Sequence, residues 1–152
     1  MSSGDHGLLS AEQAIQTFKN HFIAVRSGMD PKFPQRAWHH SLYQIVITLN
    51  MLRPSHLNPD ISAYMQVHGN HNFNKQPLAP VGCKIIIHNC TNERPLWSNH
   101  GSRGFYVGPA MKHFRNFECF MSETKAVCVS NTVDFFPTTC ADPTMTVLTD
   151  YR

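Results

Sequence analysis

GCKIIIHNCTNERPLWSNHGSRGFYVGPAMKHFRNFECFMSETKAVCVSNTVDFFP, residues 82–137, decides the fold class. Its β-branched and aromatic runs fall at 84–88, 104–107, 114–121, 126–129 and 133–136, parted by turn-rich spacers such as GPAMK, SETK and SN. Short runs at this spacing predict a small antiparallel sheet or barrel. In the first run, alternation puts Cys83, Ile85 and Ile87 on one face and Lys84, Ile86 and His88 on the other. The expected core is Ile85, Ile87, Phe105, Val107, Phe117, Val127 and Val129. Gly101, Gly104 and Gly108 read as turn and bulge positions.

Upstream, GNHNFNKQPLAPVG is a polar, Pro-bearing connector, so residues 70–81 are expected to be a linker. Before it the period changes to that of helices. Ser10 with Gln13 forms a capping-box pattern, and Ala11, Ala14, Ile15, Phe18, Phe22 and Val25 follow at helical spacing until Gly28 and Pro31. A second helix is expected from Pro34, with Trp38, Leu42, Ile45, Val46, Leu49 and Leu52 on one face and Pro54 at its end. A third is expected from Asn58–Pro59, with Tyr64 and Val67 on one face and Gly69 at its close. Residues 1–9 are Gly/Ser-rich and expected to be disordered, and 138–152 read as a tail. The fold class is therefore α+β, with helices over 10–69 and strands over 82–137.

Composition narrows the function classes. The chain has 152 residues, 41% apolar and 15% charged, enough apolar side chains for a core and too few charges for a disordered acidic or basic tail. No apolar run approaches the roughly 20 residues of a membrane span, and MSSGDHGLLS has no basic region followed by an apolar one, so neither a membrane partner nor a secretory signal is expected. The net charge of +3 permits a polyanion partner without demanding one. Ten histidines make the charge depend on pH. Five cysteines, at 83, 90, 119, 128 and 140, contain no C-x-x-C pair and read as reduced thiols of an intracellular protein.

Few residues point to chemistry. Glu12 lies in the first turn of the expected first helix, where a negative charge suits the helix dipole. Gln16 and Lys19 share its face and read as solvated. His68-x-x-His71 with Cys83, and His88-x-Cys90, invite a zinc reading, but neither pair has the usual structural-zinc form, which leaves buried thiols as the default. There is no G-x-S-x-G and no G-x-x-x-x-G-K-[ST]. Lys84, Arg94, Arg103, Lys112, Arg115 and Lys125 are interleaved with Trp97, Phe105, Tyr106 and Phe114, a mixture with which small barrels bind nucleic acid.

Five blocks in fixed order, SAEQAIQTFKNHF (10–22), TLNMLRPSHLNPDISAY (48–64), PLAPVG (77–82), HGSRGFYVGPA (100–110) and NTVDFFP (131–137), resemble the integrase region of long-terminal-repeat (copia/gypsy-type) retrotransposon polyproteins. The resemblance implies that the three helices end an RNase H-like catalytic core whose sheet is missing, and that 82–137 form the SH3-like β-barrel that follows it. It places Glu12 as the third carboxylate of an Asp-Asp-Glu metal site. The family's asparagine upstream of that glutamate is absent, since Leu8 and Leu9 stand there. Mg²⁺ serves the full-length family, but Glu12 alone cannot hold two hard cations, each of which prefers an octahedral oxygen shell.

The expectation is thus an integrase fragment, inactive alone, that binds DNA weakly and without sequence preference through Lys19, Arg103, Lys112 and Arg115. Its other expected partners are the rest of the integrase core and further copies of the chain, met through exposed helix faces. The family implies a nuclear location. The alternatives are a non-catalytic nucleic-acid- or protein-binding module and an inert product of a decayed element. A last expectation is that the strand half is ordered on its own, while Phe18, Phe22, Trp38, Leu42, Ile45 and Leu49 face a sheet that is not there.

Overall fold

The computed structural model describes residues 3–88 and 96–137, with side chains from Gly7 onward. The elements run α1 (Ser3–Ser27), a 3₁₀ segment (Gln35–Ser41), α2 (Leu42–Leu52), α3 (Ala63–His68), β1 (Lys84–His88), β2 (Gly101–Pro109), β3 (Phe117–Met121), β4 (Val127–Ser130) and β5 (Val133–Phe136). The architecture is α+β, three helices and one five-stranded antiparallel sheet of order β4-β3-β2-β1-β5. Among the described residues no helix is long and apolar enough to cross a membrane. Cys90, Arg94, Cys140 and the expected tail at 138–152 lie outside the described residues.

The sheet curls without closing. In a flat sheet β3 and β5 would lie about 14 Å apart, three strand spacings of 4.7–4.9 Å. Yet the rings of Phe117 and Phe135 meet at 5.1 Å, and both touch Tyr106, at 5.8 and 5.7 Å. Cys83, Ile85, Ile87, Tyr106 and Cys119 fill the concave face. Gly104 lets β2 and β3 lie close, since a Cβ there would stand 2.5 Å from the Phe120 carbonyl oxygen. A register shift between Tyr106 and Gly108 adds bend. β4 and β5 remain unpaired edges, so the expected barrel is an open, curled sheet.

The other face is covered by the chain before α2. Phe33 and Ala37 pack on Phe105, Val107 and Phe120, with Met29 beside them. The Phe33 and Phe105 rings meet edge-on at 5.5 Å. A second tie comes from α2, where buried Gln44 accepts from the Tyr106 hydroxyl at 2.6 Å and donates to the Ala79 carbonyl at 2.7 Å. The helical segment thus shares the sheet's core. Ile45, expected to face a missing sheet, is fully buried.

Several boundaries differ from expectation. Residues 3–9, expected to be disordered, are the first turns of α1. Extending a helix costs far less than nucleating one, so the strong periodic stretch downstream carries the helix back through Ser10. Pro34 stands at the N-cap of a 3₁₀ segment instead of opening an α-helix. Asn58 folds into a turn, its side chain accepting from Asp60 N at 3.1 Å, and the cap of α3 is Ser62, which accepts from Met65 N. Val67 is 74% exposed. Val127 and Val129 are exposed because Cys128, between them, is the inward residue of β4.

Residues 70–81, expected as a linker, are held on both sides. Gln44 holds Ala79. Gly82, at φ 74°, donates to Tyr106 O and accepts from Asp30 N. A Cβ at Gly82 would meet Met29 at 2.5 Å, so the connector, the start of the 3₁₀ region and the sheet cross at a glycine.

Candidate nucleic-acid interface

Two loops distant in sequence are bound together at one end of the sheet. Arg115 N donates to Lys75 O at 2.9 Å, and Gln76 Nε2 donates to Met111 O at 3.1 Å. The connector loop is itself fixed by Asn72, whose side-chain oxygen accepts from Asn74 N and Lys75 N. The result sets Lys75 beside Lys112, His113 and Arg115, all exposed. Phe73 and Phe114, 60% and 66% exposed, lie in the same two loops. Exposed rings among cations suit a strand of nucleic acid, whose phosphates the cations neutralise and whose bases stack.

The basic residues singled out in the sequence do not form one surface. Lys112 and Arg115 share the β2–β3 turn. Arg103 is exposed on β2, six residues before the strand's end and so about 20 Å from that turn. Lys19 is exposed on α1, which packs on α2. Of the interleaved aromatics, Phe105 and Tyr106 are core, while Trp97 and Phe114 are exposed. Sequence reasoning missed Lys75 and Phe73. They lie some forty positions before the turn they join, and only the hydrogen bonds reveal the join.

Arg115 and Lys125 have φ of 53° and 54°, a left-handed conformation that costs a side-chain-bearing residue about 1–2 kcal/mol. Glycine is the unstrained choice at such turns. Both positions carry a cation instead, one at each end of β3.

Glu12 is exposed on α1. Among the described residues no three His, Cys, Asp or Glu side chains come together as a metal-binding group. One carboxylate does not fit a two-cation centre, whose ions need several converging oxygens. Of the histidines and cysteines that invite a zinc reading, His71, His88 and Cys83 are engaged otherwise, and Cys90 lies outside the described residues. His71 Nε2 donates to Gln76 O at 3.0 Å, and its Nδ1 lies 3.4 Å from the Tyr64 hydroxyl. His88 Nε2 lies 2.6 Å from Asp134 Oδ2. Cys83 and Cys119 are buried, and Cys128 packs against them. Burial pushes the Cys119 thiol up to about 12, with Cys128 and Glu118 adding to it, and raises Cys83 and Cys128 as well. Such thiols are poor nucleophiles at neutral pH.

No protein-family model matches the chain, and no curated protein or solved structure matches it.

Proposed function

We propose that this chain is a nucleic-acid-binding module of retrotransposon-integrase type, without catalysis of its own. The five sequence blocks motivate the family reading, in which α1–α3 correspond to the end of an RNase H-like core and the curled sheet to an SH3-like barrel. The observation that carries the binding function is the hydrogen-bonded junction of residues 72–76 with 111–115, which joins the loops that carry Lys75, Lys112 and Arg115 and two exposed phenylalanines. Lys19 and Arg103 supply separate, weaker phosphate contacts.

Binding of a fluorescent duplex across a salt series tests this. The log–log slope changes by about 0.9 for each phosphate that the protein ceases to neutralise. Lys75→Gln, Lys112→Gln and Arg115→Gln together should flatten it more than Lys19→Gln with Arg103→Gln. An unchanged slope in the triple variant rejects the interface, and absence of salt-dependent binding by the parent chain favours the inert-remnant reading. Glu12, as a lone carboxylate, supports no strand transfer. Cleavage or joining of the duplex in Mg²⁺ that disappears in Glu12→Gln would overturn that part.

A further inference from the structure

A second cationic feature lies away from the 72–76/111–115 junction. Between the 3₁₀ region and the outer face of the sheet runs a groove of about 720 Å³. Lys32, Arg36, His39 and His40 line one side and Lys125 the other, and no carboxylate lines it. Its floor includes the largely buried rings of Phe105 and Phe120. Three permanent positive charges and two imidazoles around a low-dielectric floor make a local field that favours an anion. Lys125 reaches the groove from a backbone at φ 54°, where glycine would be unstrained, so the turn itself does not call for this residue.

The two histidine rings lie against each other. Their ring centroids are 3.9 Å apart, and the His40 ring stands 6.1 Å from that of Phe120. Protonating both places two positive charges in near contact beside Lys32, Arg36 and Lys125. Among the described residues, Glu118 on β3 acts in the opposite sense on His40. His40 accordingly holds its proton less tightly than an ordinary histidine, first through burial and then through His39. A bound phosphate reverses that balance.

We infer that this groove takes the phosphate groups of a nucleic-acid strand, and that His40, packed against His39 over the groove floor, makes its grip tighten as pH falls. The inference rests on the nucleic-acid reading above but concerns different residues. The sign follows from linkage. An anion favours the protonated His40 imidazole, so binding takes up a proton and strengthens as pH drops through the histidine range. The affinity gain from pH 7.5 to 5.5 should be roughly tenfold, the scale of adding one or two charges near a phosphate at the surface.

The test is histidine- and amide-detected NMR of the full chain at pH 5.5 and 7.5, titrated in separate arms with inorganic phosphate, thymidine monophosphate and a twelve-residue oligothymidylate. Expected are saturable shifts at Lys32, Arg36, His39, His40 and Lys125, with the oligonucleotide binding at least tenfold tighter than the mononucleotide, as several phosphates engage at once. Arg36→Gln and Lys125→Gln should weaken these shifts at both pH values. His39→Gln, at an exposed ring, should raise the His40 pKa in the free chain and move the pH dependence of binding to higher pH. Equal affinity for inorganic phosphate and oligonucleotide overturns the strand assignment, and affinity independent of pH overturns the histidine role. Oligonucleotide shifts confined to residues 72–76 and 111–115 overturn the groove and leave the function proposed above standing. Absence of oligonucleotide shifts everywhere removes both.

Discussion

α1 and α2 read alike in the sequence, each an apolar stripe at helical spacing, yet they meet different fates. No described side chain of α1 is fully buried, and Leu8, Leu9, Ile15 and Ile23 are more than half exposed. Its hold on the rest is narrow. His21 Nε2 donates to Ile45 O at 3.1 Å, and the Phe22 ring meets Trp38 at 5.7 Å. In α2, Ile45 is 0% exposed, Ile47 and Gln44 are buried, and Gln44 ties the helix to the sheet. Periodicity states which face of a helix is apolar. It does not state whether anything covers that face.

The largest test of this difference compares two isoleucines. Ile45→Ala should cost about 4 kcal/mol in urea unfolding, the cost of emptying a tightly packed site. Ile15→Ala, at a side chain 60% exposed, should stay within about 0.5 kcal/mol. Equal losses would show that α1 is packed as tightly as α2, and that the contrast is false.

A smaller effect probes the crossing that joins the two halves. Gly82 and Gly69 share nearly the same φ, 74° and 75°, but a Cβ at Gly82 meets Met29 at 2.5 Å, while at Gly69 nothing lies within 4 Å. Gly69→Ala, at φ 75° and ψ −168°, should carry the conformational cost alone, about 1–3 kcal/mol. Gly82→Ala should cost more than its own conformational part by about 1–3 kcal/mol, because overpacking is added. Thermal unfolding of the two variants measures the difference. If they fall together, the connector does not press on Met29 as described.

Much of the strand half was legible, for physical reasons that the helical half lacks. Lys84–His88 and Val133–Phe136 stand where the sequence placed them, because β-branched runs between turn residues leave few alternatives. Ile85, Ile87, Phe105 and Val107 are buried as expected, since alternation fixes a face. Val127 and Val129 misled because Cys128, between them, is the inward residue, and two β-branched residues outweigh one thiol when the face is read from alternation. The 3₁₀ segment was not legible. Its apolar spacing joins smoothly to that of α2, so it reads as the first turns of one α-helix. At three residues per turn it instead buries Ala37 and Ser41. The junction at Lys75 was hidden for a different reason. Backbone hydrogen bonds between loops leave no mark in residue type.

The hydroxyl of Tyr106 sharpens the comparison from the side of the sheet. Tyr106→Phe removes its 2.6 Å bond to Gln44 and leaves a buried acceptor unpaired, at a cost of about 1.5 kcal/mol. The same core should fail in alkali. Burial raises Tyr106 strongly and Cys119 to about 12, from an ordinary thiol value near 9. A group whose folded value is raised contributes fully below its unfolded value and loses that contribution as pH climbs toward the folded one. The urea midpoint should hold to pH 8 and decline from about 9 upward. A flat profile to pH 11 would mean that water reaches this face.

The smallest stability effect separates the two turns of β3 from the rest of the surface. Lys125 and Arg115 are held at positive φ, and replacing either with glycine relieves about 1–2 kcal/mol of strain. Glycine's extra freedom in the unfolded chain returns about 0.5–1 kcal/mol of that. Each substitution should therefore stabilise the fold by about 0.5 kcal/mol, a rise of a degree or two in Tm for a chain of this length. Lys112→Gly, at a residue without positive φ, has no strain to relieve and should be neutral or destabilising. Binding should move the opposite way, weakening in all three variants as a cation is withdrawn from a phosphate. Stability and affinity measured on the same samples therefore distinguish a charge kept in spite of its backbone from one that merely sits on a turn. A gain in stability with undiminished nucleic-acid binding would mean that the strained cations touch no phosphate, and the left-handed turns would then have to be explained by the sheet's curl alone.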